Sequence, residues 1–197
     1  GSRRLAGRGL RVRVAYVLVV GRDHLCGGDG AYTHEADNLL ADGLGFTEPY
    51  RYLHGGAQEA LFVTDPATVP QTANTALPVG HIEPTAGHPP LWVLLLGAFS
   101  TLGFTSVTAH QLVGALTGAV GVEAVGWAVR QLDDRLAHRF IGPSAAALAD
   151  VHAGFWLNDG LVLSESLVVP VTAGLSGLDA RTRGAPKVRH VRPPGTV

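Results

Sequence analysis

The chain has 197 residues, a single cysteine and a formal net charge of −1. This charge provides no field that would attract nucleic acid or another polyanion, and one cysteine excludes an internal disulfide and a cysteine-based metal site. Charged residues make up 16% of the chain and hydrophobic residues 46%, which is less charge than the ~25% of an average soluble domain.

The first apolar stretch, Leu10 to Val20, follows a group of arginines. Two further arginines, Arg11 and Arg13, lie inside the stretch. A basic lead into a hydrophobic segment is typical of the cytoplasmic end of a membrane helix. We therefore predict a shortened first transmembrane helix here, with a signal peptide as the rival interpretation.

Residues 21–89 are polar and rich in Gly, Pro, Thr and His, which predicts an extracytoplasmic loop. Four apolar residues near its start have the spacing of one helix face: Tyr32, Ala36, Leu39 and Leu40. Gly43 then favours a left-handed C-terminal cap. Asp29, at the head of this helix, is either an N-cap, a position that Asp favours, or a reactive carboxylate.

Between Pro84 and Val122 the chain contains no Asp, Glu, Lys or Arg. Ser106 to Val129 reaches the ~20 residues of a membrane span, whereas Leu91 to Leu102 is short enough to be a re-entrant, interfacial or buried helix. Glu123 interrupts the span and should face protein or a cavity. A soluble helical domain with residues 84–122 as a buried hairpin remains the rival reading.

The last third alternates charged and apolar segments. Residues 130–139 form a charged hinge, Pro143 opens an apolar segment that ends at Leu157, and Asn158-Asp159-Gly160 is a turn signal. Pro170 weakens a further helix over residues 161–178. Residues 179–197 are predicted to be a basic, disordered tail.

The basic segments give a predicted topology. By the positive-inside rule, the N-terminus and the hinge at 130–139 lie on the cytoplasmic side. The loop 21–89 and the region 158–165 then share the opposite, extracytoplasmic side. The predicted class is an all-α, multi-span transmembrane bundle over residues 1–178, with a juxtamembrane helix in its extracytoplasmic loop.

Three stretches in this order resemble the N-terminal part of GT-C-type membrane glycosyltransferases: GGDGAYTHEADNLLADGLGF at 27–46, PTAGHPPLWVLLLGAFSTLG at 84–103 and FWLNDGLVLSESL at 155–167. The similarity is greatest to glycosyltransferase family 39, which includes the protein O-mannosyltransferases. The resemblance implies a multi-pass enzyme of the cell membrane. Its donor would be a polyprenyl-phosphate-linked sugar, its acceptor a glycan, lipid or protein, and its other partner membrane lipid.

The resemblance also implies roles for particular residues. Asp29 would be the general base that takes a proton from the acceptor hydroxyl, and Glu165 a second catalytic carboxylate. Residues that would bind donor or acceptor are His34, Glu35, His88, Asn158, Asp159 and Ser164. A divalent metal is compatible with this chemistry but is not required by it.

The chain is shorter than these enzymes, so we expect it to represent a truncated portion whose own activity is in question. The alternative is a non-catalytic membrane fragment that packs against a partner. A distant third interpretation is a soluble metal-dependent hydrolase built on His81, Glu83 and His88, although their spacing matches no standard zinc signature.

Overall fold

The computed structural model describes residues 2–22, 24–25, 28–54, 79–132 and 137–183. Over these ranges the chain is helical without a β-strand, which confirms the all-α class, and one isolated bridge pairs Thr47 with Pro84. The helices are α1 (Ser2–Tyr16), which runs into a π-helical turn (Val17–Gly21), α2 (Gly28–Ala41), α3 (Pro49–His54), α4 (Pro90–Thr101), α5 (Val107–Leu132), α6 (Ala137–Val151), α7 (Ala153–Gly160) and α8 (Glu165–Arg183).

Helix α5 is the centre of the main bundle, and α8, α6, α1 and α7 pack around it. Small residues on α5 allow this close packing. A Cβ at Gly118 would overlap the carboxylate of Asp159 on α7, and one at Gly114 would overlap the main-chain carbonyl of the same residue. Small residues at helix contacts are typical of bundles whose backbones approach closely.

Helices α2 and α4 pack against each other and form a second unit. The contact between α2 and α4 is more extensive than that between α4 and α5. As predicted, α2 buries Tyr32, Ala36 and Leu39 on one face. Its C-terminus is closed at Gly43, which has a φ of 84°, by the hydrogen bond from Leu44 N–H to the carbonyl of Leu39. The two units meet where α2 and α4 contact α5 and the turn after α7.

Among the described residues, one helix, Val107–Gln131 within α5, is long and apolar enough to cross a membrane. Helix α4 has 12 residues, which agrees with the short helix predicted from Leu91 to Leu102. The predicted first transmembrane helix is not among the candidate spans, since α1 and its π-helical turn run together from residue 2 to residue 21 but carry five arginines. Many apolar side chains are exposed, among them Val19 at 81% and Leu102 at 73%.

One prediction about the C-terminal third is wrong, and another differs by a few residues. Pro170 does not break the helix but lies inside α8, near its start, where an absent N–H removes one hydrogen bond. Asn158-Asp159-Gly160 forms the last turn of α7. The turn that this sequence predicts follows directly, at residues 161–164, and separates α7 from α8.

Two predicted segment boundaries also differ from those of the structure. Pro143 lies inside α6 instead of opening a segment that runs to Leu157, since that segment is divided at His152. Helix α8 continues past the predicted end of the folded part at residue 178 and ends at Arg183. The remainder of the predicted tail, 184–197, lies outside the described residues, as do residues 55–78 of the predicted loop.

Candidate functional site

A cavity of about 350 Å³ lies at the N-terminus of α2, lined by Gly28, Asp29, Tyr32, Tyr50 and His88. Its volume is within the range of small-molecule sites, ~300–1,000 Å³. Two of the predicted site residues, Asp29 and His88, therefore share one cavity although 59 positions separate them in the sequence. Because α2 begins at Gly28, Asp29 lies in the first helical turn instead of preceding the helix.

Tyr32 is the central side chain of this cavity wall. Its hydroxyl donates to Glu48 Oε2 at 2.6 Å and lies 3.0 Å from Thr85 Oγ1. Burial and the hydrogen bond to Glu48 raise the pKa of Tyr32 above its usual value, so the phenol stays protonated. The His88 ring packs on the Tyr32 ring with centroids 4.3 Å apart, which fixes His88 at the cavity.

Tyr50 forms the other aromatic wall. Its hydroxyl donates to the carbonyl of Gly28 at 2.8 Å, and its ring meets that of Tyr32 edge to face at 5.3 Å. This contact ties α3 to the first turn of α2. The pKa of Tyr50 is raised by burial and by the negative charges of Glu35, Asp29 and Glu48, which indicates that the site is acidic.

The three stretches on which the resemblance depends meet beside this cavity. A Cβ at Gly30 would overlap the carbonyl of Leu161, so only glycine lets the head of α2 approach the turn after α7 this closely. Trp92, at the start of α4, donates its indole N–H to the carbonyl of Val162 at 3.0 Å. The turn at residues 161–164 is thus held by both other stretches.

Val162 has a left-handed backbone, with φ 59°, and is fully buried. This conformation is strained for a β-branched residue and costs on the order of 1–3 kcal/mol. Burial of its side chain and the hydrogen bond from Trp92 hold it in place. Strained backbone of this kind is often found at binding or catalytic sites.

The other predicted residues of the third stretch have different surroundings. Asp159 is 1% exposed and accepts from Arg13 Nε at 2.8 Å, which makes it part of a buried ion pair. Asn158 and Ser164 cap the turn through their carbonyls, which accept from Leu161 and Leu167 respectively. Glu165 is the exposed first residue of α8.

The two remaining predicted residues lie further along α2. Glu35 is half-buried, and its charge acts on Tyr50. His34 does not line the cavity at Asp29. It turns instead toward α5, where its Nδ1 lies 2.8 Å from Nδ1 of His110.

A second group of polar side chains surrounds His110 between α2, α4 and α5. Oδ2 of Asp37 lies 3.2 Å from His110 Nδ1, and Ser100 Oγ lies 2.9 Å from His110 Nε2 and donates to Asp37 Oδ1 at 3.0 Å. Burial raises the pKa of Asp37 to about 8 against the opposing effect of the Ser100 hydrogen bond, and burial lowers the pKa of His34. His34, Asp37 and His110 could hold a metal ion.

Sequence reasoning missed Asp37 and Ser100 and gave His110 no role. A signal was available, since His34 and Asp37 are three apart on a predicted helix and therefore neighbours on its surface. The rival metal set does not form a group among the described residues. Glu83 pairs with Arg51 at 2.5 Å, His81 is exposed, and His88 stacks on Tyr32.

The comparisons with known proteins give no assignment. No protein-family model, curated protein or solved structure matches the chain. Its function is therefore inferred from its own residues.

Proposed function

We propose that the chain transfers a sugar from a polyprenyl-phosphate carrier to an acceptor hydroxyl at the extracytoplasmic face of a membrane. Asp29 is the general base, and His88 holds the carrier phosphate. The observation that supports this proposal is the shared cavity of Asp29 and His88, walled by the rings of Tyr32 and Tyr50. It offers one carboxylate, one imidazole and flat aromatic faces against which the C–H face of a sugar ring packs.

The proposed reaction is a single displacement at the anomeric carbon. The acceptor hydroxyl gives its proton to the Asp29 carboxylate while its oxygen forms the new bond to the sugar. The bond between the anomeric carbon and the phosphate oxygen breaks, its electron pair leaves with the polyprenyl phosphate, and the configuration inverts. An N–H of His88 donates to the phosphate as negative charge develops there, which lowers the barrier to departure.

The membrane placement of this proposal is supported by α5 and by the exposed apolar side chains around it. Helix α5 would span the membrane, and α1 with its π-helical turn and parts of α6 and α8 would complete a multi-pass bundle. All residues that line the cavity at Asp29 belong to the loop 21–89, which the proposed topology puts outside the cytoplasm, so the cavity would lie at the extracytoplasmic end of α5. Glu165 and Ser164 follow the turn that touches Gly30 and would hold the acceptor on the same side.

The test is sugar transfer by the full chain in membrane vesicles, with labelled polyprenyl-phosphate mannose and polyprenyl-phosphate aminoarabinose as donors. We expect Asp29→Asn to lower the rate by roughly 10²–10⁴-fold, because the amide cannot accept the hydroxyl proton. Release of free polyprenyl phosphate is measured together with product, so the readout does not depend on knowing the acceptor.

Asp42→Asn is the matched control, since Asp42 is an exposed residue just beyond the other end of α2. It should keep the wild-type rate. Equal rates for Asp29→Asn and the wild type would exclude Asp29 as the base. If the wild-type chain releases no polyprenyl phosphate from either donor, transfer by this chain is refuted for those sugars.

A second candidate is a non-catalytic membrane protein that packs against a partner. The observation in its favour is the number of large apolar side chains exposed on several helices, including Leu148 at 70% and Leu175 at 62%. Under this alternative Asp29 stabilises the N-terminus of α2 through the helix dipole. Asp29→Asn would then lower the stability of α2 without any transfer activity to lose.

A further inference from the structure

His34, Asp37 and His110 bring three potential metal-ligand atoms together between two helices. Their ligand atoms all lie within 4.8 Å of one another, and none of the three residues lines the cavity at Asp29. His110 is in the first turn of α5, and the other two side chains come from one face of α2. The grouping is therefore separate from the proposed sugar site.

The hydrogen bonds of Ser100 determine which nitrogen of His110 is free. With Asp37 ionised, as a metal ligand must be, the hydroxyl of Ser100 donates its one proton to Asp37 Oδ1. Its contact with His110 Nε2 at 2.9 Å is then an N–H donated by His110. The lone pair of His110 is consequently on Nδ1, which faces His34 Nδ1 and Asp37 Oδ2. A metal-binding histidine usually has its second ring nitrogen fixed in this way by an outer hydrogen bond.

The second observation is a buried acceptor without a hydrogen bond. Asp37 and His110 are both 0% exposed, and Oδ2 of Asp37 makes no aligned hydrogen bond although it lies 3.2 Å from His110 Nδ1. A buried polar atom left in this state is costly. A cation bound between Oδ2 and the two imidazoles would satisfy it.

We propose that His34, Asp37 and His110 bind a divalent first-row transition ion, with Zn²⁺ as the best match. Two imidazoles and one carboxylate form a ligand set that Zn²⁺ accepts in tetrahedral sites, and imidazole favours transition ions over Mg²⁺ or Ca²⁺. Three protein ligands leave one position for water. The Zn–N bond of ~2.0–2.1 Å requires the two ring nitrogens to separate slightly from 2.8 Å, and half-buried His34 can move to allow this.

The position of the cluster indicates what the ion does. It joins α2, which carries Asp29 five residues before His34, to the start of α5. Ser100 adds the C-terminal part of α4 through its hydrogen bonds to two of the ligands. The bound ion fastens the α2–α4 unit to the central helix, and this role does not depend on the chemistry at Asp29.

The test uses the full chain in detergent, stripped with a chelator and then titrated with Co²⁺ and Zn²⁺. We expect one Co²⁺ per chain, the visible absorption of tetrahedral Co²⁺, its displacement by Zn²⁺ and a higher unfolding temperature with either ion. Asp37→Asn and His34→Gln should abolish this absorption. Ser100→Ala should retain the ligands but bind ~10–100-fold more weakly, as loss of an outer hydrogen bond does.

His81→Ala removes an exposed histidine outside the cluster and should bind Co²⁺ as the wild type does. Far-UV circular dichroism identifies any variant that has lost its helices. If Asp37→Asn unfolds, the comparison of His34→Gln with the wild type decides the test. No tetrahedral absorption in the wild type, or the same absorption in His34→Gln and His81→Ala, would overturn the proposal. The cluster would then be a hydrogen-bonded network that links α2, α4 and α5 without a metal.

Discussion

Arg13 is the most deeply buried cation among the described residues. It is 1% exposed and bonds Asp150 at 2.6 Å and Asp159 at 2.8 Å, so one side chain from α1 joins α6 and α7. The sequence predicts Arg13 at the cytoplasmic end of a membrane helix, but its guanidinium group is buried inside the protein. Removing only one partner of such a buried ion pair destabilises the fold, because the opposite charge stays buried without compensation.

We predict that Arg13→Met lowers the free energy of unfolding by about 3–5 kcal/mol, because it leaves the buried carboxyl group of Asp159 without its ion-pair partner. The measurement is denaturant unfolding of the detergent-solubilised chain. Arg11→Met, at an exposed position on the same helix, should change it by less than ~0.5 kcal/mol. Similar losses for the two variants would show that the ion pairs contribute little.

For single residues, the sequence predicts some members of the candidate sites and misses others. Asp29 and His88 were predicted from motifs, and they share a cavity because the stacking of His88 on Tyr32 brings the two stretches together. Asp37 precedes Ser100 by 63 positions and His110 by 73, and only the packing of α2 and α4 against α5 makes the three residues neighbours. No local pattern predicts such a contact.

The close packing of helix α5 against its neighbours depends on the small size of particular residues. Gly118 faces the Asp159 carboxylate with no room for a methyl group, whereas Gly174 on α8 has nothing within 4 Å of the position a Cβ would take. The same substitution should therefore have opposite effects at the two sites.

We predict that Gly118→Ala lowers the free energy of unfolding by about 1–3 kcal/mol through overpacking. Gly174→Ala should raise it by up to about 1 kcal/mol, because alanine favours the helix. Thermal unfolding of both variants beside the wild type tests this pair. A stabilised Gly118→Ala would mean that α5 and α7 do not approach as closely as described.

Elements with an apolar period and a breaker at each end were predicted well. Helix α4 begins at the second residue of the pair Pro89-Pro90, and the C-terminus of α2 is capped at Gly43, so their bounds could be read from local chemistry. The Asn-Asp-Gly signal occupies the last turn of α7, and the turn itself follows at residues 161–164. The effect of Pro170 was overestimated because the predicted helix over residues 161–178 places it in the middle, whereas α8 begins at Glu165 and Pro170 is near its start.

For the whole molecule, the proposed topology places residues 21–89 outside the cytoplasm and the basic hinge inside. Cys26, the single cysteine of the chain, lies in that loop. We predict that a membrane-impermeant maleimide labels Cys26 in intact cells. Labelling in intact cells should be as efficient as in permeabilised cells, because the reagent reaches an extracytoplasmic cysteine without crossing the membrane.

The control replaces Cys26 with serine and introduces Gln131→Cys within the hinge. This cysteine should be labelled only after permeabilisation, since it would lie on the cytoplasmic side. Labelling of Cys26 only in permeabilised cells would reverse the proposed orientation. Recovery of the chain in the soluble fraction without detergent would contradict the membrane placement and favour the buried-hairpin alternative.

The cavity at Asp29 and the bundle around α5 are joined by a shared core. All residues that line the cavity belong to α2, α3 or the segment before α4, and none belongs to the bundle. Trp92 and Leu96 of α4, however, lie in one buried hydrophobic cluster with Val113 of α5 and with Val162. Any opening that separates the two units must therefore expose this cluster to solvent, whereas the residues that line the cavity can keep their contacts with one another.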